Sequence, residues 1–109
     1  MSTTRSAFSW IEGATEDNST AVASRAAPEG GIAHHVTHVA GSFDATVDGV
    51  ALVLKQGSTE LARWYVFDAF ALTFASPLRI EPGNSVTLEL EASGTEGVIG
   101  SAVLAGWTA

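Results

Sequence analysis

The chain has 109 residues, with 12 Asp and Glu against 5 Lys and Arg, a formal charge of −7 at pH 7. At 11.2 kDa, 46% hydrophobic and mean hydropathy +0.23, it has the size and apolar content of one folded domain. Five cations argue against nucleic acid and anionic membranes as partners, and zero cysteines exclude disulfides, thiolate nucleophiles and Cys-ligated zinc.

Residues 1–19 are polar and irregular, with three large apolar groups, Phe8, Trp10 and Ile11. They read as an extended N-terminal arm whose anchors seat on a neighbouring molecule. Met1–Trp10 lacks the apolar core of about 7–15 residues that a secretory signal needs. No stretch reaches the ~18 apolar residues of a membrane span.

From Thr20 onward the chain reads as a β domain covering residues 20–109. Short strands are expected at Thr20–Ala27, Ile32–Phe43, Val50–Lys55, Glu60–Val66, Phe70–Phe74, Ser85–Ala92 and Val98–Trp107. Ser85–Ala92 alternates most cleanly, with Val86, Leu88 and Leu90 inward and Thr87, Glu89 and Glu91 outward. Between the strands stand turn residues: Asp48-Gly49, Gln56-Gly57-Ser58-Thr59, Glu81-Pro82-Gly83-Asn84 and Ser93–Gly97. Pro then Gly at the centre of residues 81–84 is the type II pattern. Helix is expected to be minor. The fold class is an all-β sandwich, jelly-roll-like, with the N-terminal arm.

Two segments are apolar on both faces: Val98–Trp107, and the run around Trp64, Tyr65, Val66 and Phe67. Such a strand is either central in its sheet or covered on its second face by another copy or another protein.

His34, His35 and His38 are the most tempting metal set. On a regular strand His34 and His38 share a face roughly 13 Å apart, and His35 points the other way. One zinc ion cannot bridge that span with bonds of about 2 Å, so no metal site is assigned. Histidines clustered across subunits remain open. Asp44 and Asp48 lack a calcium-loop pattern, and Glu89 and Glu91 read as a solvated face. There is no Gly-x-Ser-x-Gly elbow and no phosphate loop. No catalytic residue and no cofactor is expected. Trp64, Tyr65 and Trp107 are either core aromatics or a stacking platform for a sugar.

Three stretches carry a resemblance: Leu54–Thr59, Ser76–Val86 and Gly97–Gly100. In turn-and-strand rhythm they are similar to small β-sandwich virion proteins of tailed bacteriophages, known best as capsid decoration or cement proteins. The resemblance spans about residues 32–108 and has no catalytic motif to carry over. It implies a structural protein on the outside of a capsid, made in the host cytoplasm and bound to the major capsid protein. It also implies a homo-oligomer, a trimer being favoured. The residues expected to make assembly contacts are Phe8, Trp10 and Ile11, with Trp64, Tyr65 and Trp107 behind them. The second functional reading is a carbohydrate- or receptor-binding module of a head fibre or tail.

Overall fold

The computed structural model describes residues 7–109. Eight strands follow in order: β1 Phe8–Asp17, β2 Ala21–Arg25, β3 His34–Phe43, β4 Val50–Gln56, β5 Thr59–Val66, β6 Ala69–Arg79, β7 Val86–Leu90 and β8 Ile99–Thr108. They form two antiparallel sheets, one ordered β1-β8-β3-β6 (sheet I) and the other β2-β7-β4-β5 (sheet II).

The order has a simple origin. β4 pairs with β5, β3 with β6, β2 with β7 and β1 with β8, as if one long antiparallel ribbon turned back at Gly57-Ser58. Winding that ribbon and joining β8 to β3 and β4 to β7 completes both sheets. This is an eight-stranded jelly roll. Glycines with positive φ mark its corners, including Gly57 (56°) and Gly83 (83°) in the turns read from sequence.

The inward faces meet in one core. Sheet II supplies Leu52, Leu54, Val86, Leu88 and Leu90; sheet I supplies Trp10, Val36, Val39, Phe43, Ala102 and Leu104. Ile80 and Val66 close it, both fully buried. β8 is the strand that packs large neighbours by being small inside. A Cβ on Gly100 would lie 2.8 Å from the Phe43 ring, and one on Gly106 would strike the His35 carbonyl and the Trp10 ring. Those two glycines admit the aromatics that fill sheet I's half of the core.

The expected arm needs correction. From Phe8 onward it is a strand, paired residue for residue with β8 along Phe8–Asp17. Trp10 is 6% exposed and sits in its own core, not on a neighbour. The boundary at residue 20 therefore divides no separate units, and only residues 1–6 of the expected arm lie outside the described residues. Edge position explains why alternation is weak here: Glu12 and Glu16 fall on the inward side, at a rim where they stay partly or fully exposed. Glu12 is satisfied there by Arg25 of β2 at 2.9 Å.

Deleting residues 2–19 should thus unfold the domain, not merely loosen an assembly. The loss of Trp10 alone removes about 3–5 kcal/mol. Circular dichroism of the truncated chain should show no cooperative melt; a native-like melt would contradict the strand assignment.

Candidate functional site

Both ends of the described chain meet at one edge of the core. Trp10 Nε1–H donates to Thr108 Oγ1 at 2.8 Å, and His34 Nδ1 lies 2.7 Å from the same hydroxyl. His34 Nε2 lies 2.7 Å from the Ala26 carbonyl, which can only accept. In neutral His34 the proton is therefore on Nε2, and Thr108 Oγ1–H donates to Nδ1. Every donor in the chain from Trp10 to Ala26 has one acceptor. His34 is 2% exposed and Thr108 0%, so this network belongs to the fold. Arg25 covers it, with Cζ 5.6 Å from the Phe8 ring centroid and 5.5 Å from that of Trp10. Phe8 is 47% exposed, held under that guanidinium.

The histidines do not divide as a regular strand would divide them. A β-bulge between Val36 and His38 shifts the register against β8 by one residue, and against β6 the partner changes there from Leu78 to Thr73. His35 is cross-strand from Trp107 and His38 from Ala105, so both stand on the outer face, and His34 alone points inward. His35 stacks on Trp107 with centroids 3.8 Å apart and planes 11° apart. His38 Nδ1 lies 2.9 Å from Thr73 Oγ1 on β6. Among the described residues no three His, Asp or Glu converge as a metal set.

The outer faces of the two sheets differ in kind. On sheet I the rows read Ser9, Trp107, His35 and Arg79; Ile11, Ala105, His38 and Thr73; Gly13, Val103, Ala40 and Ala71; Thr15, Ser101, Ser42 and Ala69. Arg79 is the only ionic residue of those rows, at one corner; Asp17, beside Ile99, lies past the other end. Ile11 is 75% exposed, and Ile99 and Val103 are exposed too. On sheet II, Lys55 pairs with Glu89 at 3.0 Å and Arg63 with Glu60 at 2.9 Å. Val53 lies between Arg63 and Glu89 in register, and it and Ala51 are buried although both point outward. Sheet II carries charged pairs on its outer face beside the exposed Val22, Leu61 and Tyr65; sheet I carries almost no charge on its outer face.

The remaining expected contact residues separate. Trp64 is half-buried at the rim of the core and stacks on Phe70 at 5.7 Å. Tyr65 is 56% exposed on sheet II, beside an open depression of about 470 Å³ that Arg63, Glu91 and Thr20 also line. Trp107 is on sheet I. The three cannot form one platform. Sequence reasoning missed His38 as an outer-face residue, because only the bulge puts it there. No protein-family model and no curated protein matches the chain.

His34→Ala should destabilise the fold by about 2–4 kcal/mol, adding a cavity to the ~1–3 kcal/mol of orphaned partners. His38→Ala should stay within about 0.5 kcal/mol. Urea titrations of both variants compare them; equal effects would contradict the inward and outward assignment.

The Arg63 hydrogen bond holds the Glu60 carboxyl below its ordinary range, and the same bond raises Arg63. A lowered carboxyl pKa stabilises the fold above the unfolded value, and the effect fades as pH falls through the folded one. Arg63→Ala should move the Glu60 midpoint upward in a carboxyl-carbon NMR titration. An unmoved midpoint would mean that the pair does not form in solution.

Proposed function

We propose that this chain is a structural virion protein, a decoration or cement protein on the outside of a bacteriophage head. It acts as a homo-oligomer bound to the major capsid protein, with no catalysis of its own. The observation that carries the assembly reading is the outer face of sheet I. A domain whose core is complete still displays an almost uncharged surface bearing Ile11, Ile99, Val103 and Trp107. Isolated apolar residues on a surface need no explanation, but several together on one sheet face almost free of charge mark an interaction site. The capsid as the place of assembly rests on the resemblance of Leu54–Thr59, Ser76–Val86 and Gly97–Gly100 to phage decoration proteins.

The rest of the molecule suits that role. All four described cations, Arg25, Lys55, Arg63 and Arg79, pair with carboxylates, leaving an acidic exterior that does not compete for packaged nucleic acid. Many weak contacts to one lattice add through multivalency, so a decoration protein needs no deep pocket. The second reading, a carbohydrate- or receptor-binding module, is favoured by one feature, the exposed Tyr65 ring beside the Arg63 and Glu91 depression.

Purified heads decide between them. Decorated heads should carry many copies and melt, by calorimetry, above heads lacking the protein; adding it back should restore the difference. Identical melting would refute cementing. Glycan binding lost in Tyr65→Ala, with only a few copies at a tail, would establish the second reading instead.

A further inference from the structure

We propose that the outer face of sheet I is covered by a second copy of this chain. The proposal rests on the assembly reading above and names the occupant of its surface.

Size comes first. Four strands about 4.8 Å apart, with ten residues rising about 3.4 Å each, make a face of roughly 650 Å². A standard interface buries about 800 Å² per partner, so the face and its rim are of the area that a stable pair requires.

Charge comes next. The chain carries −7, and a copy approaching most of its surface meets like charge. The rows from Ile11 to Thr15 and their cross-strand partners contain no Asp, Glu, Lys or Arg. Two copies can therefore meet through these rows without setting carboxylate against carboxylate, Asp17 and Asp44 standing beyond them next to Ile99. A foreign partner selecting this acidic chain would find no charge here to recognise, whereas the rest of the surface offers plenty.

Shape makes the face complementary to itself. The β1–β8 half carries the large groups: Ile11, Ile99, Val103 and Trp107. The β3–β6 half carries small groups along Ala40, Ser42, Ala69, Ala71 and Thr73, with His35, His38 and Arg79 as its large groups toward one end. Ile11, Ile99 and Val103 of one copy fit over the stretch of Ala40, Ser42, Ala69 and Ala71 of the next, which serves either a two-fold pair or a closed ring. The His38–Thr73 and Thr15–Ser101 hydrogen bonds join polar groups of the face to one another. Sheet II exposes Val22, Leu61 and Tyr65 too, but there the charged Lys55, Glu89, Glu60 and Arg63 stand among them.

The test is the mass of the full chain in solution by light scattering, up to about 100 µM. The wild type should weigh a whole multiple, above one, of 11.2 kDa. Ile11→Asp and Val103→Asp should each return it to 11.2 kDa with a cooperative melt, while Tyr65→Asp on sheet II leaves the multiple intact. If Val103→Asp fails to fold, Ile11→Asp decides, since that side chain is 75% exposed. A monomeric wild type, or a multiple that survives Ile11→Asp, overturns the proposal. Monomers that still cement heads would overturn it and leave the decoration reading standing; oligomers that ignore heads would do the reverse.

Discussion

The fold depends on the closure of sheet I by the two ends of the chain. β1 cannot be placed until β8 exists, and β8 is central between β1 and β3. The hydrogen bonds from Trp10 to Thr108, and through His34 to Ala26, fasten β1, β8, β3 and the segment after β2 at a single buried point. Polar groups buried at that depth are stabilising only when each finds its partner, and here each does. A fold assembled from pairings so distant in sequence forms slowly, because loop closure must precede the contacts that reward it.

Much of this was legible beforehand. β7 was plain from Val86, Leu88 and Leu90 against Thr87 and Glu89, because a central strand with one solvated face alternates strictly. β8 was recognisable as a strand without a polar face, and the structure gives one of the two reasons offered for such a strand: it is central, between β1 and β3. β1 was hidden for a physical reason. At a sheet edge, Glu12 and Glu16 can point inward and still reach water or Arg25, so the alternation that identifies strands was diluted. The bulge at Val36/His38 was hidden differently. Thr37 and His38 are both polar, and nothing in their chemistry records which of them takes the extra position.

That single extra residue governs the surface. Without it, His38 would turn toward the core and the pattern of the outer face would break half-way along β3. With it, His38 joins His35, Ala105 and Thr73 on a face kept almost free of charge. The two sheets thus divide the labour of one small domain. Sheet II carries the ion pairs Lys55–Glu89 and Arg63–Glu60, and sheet I an outer face almost free of charge.

The pairing of Phe8 with Thr108 has a consequence for how the domain could be rebuilt. Neighbouring ends in adjacent antiparallel strands are the arrangement that a short peptide link can join. The chain could then be opened at an exposed turn such as Gly83, where an added side chain would meet nothing within 4 Å. Such a circular permutant would keep both sheets, the bulge and the buried hydrogen bonds. Its strands would be made in a new order, so it would separate the effect of three-dimensional pairing from that of chain sequence in time.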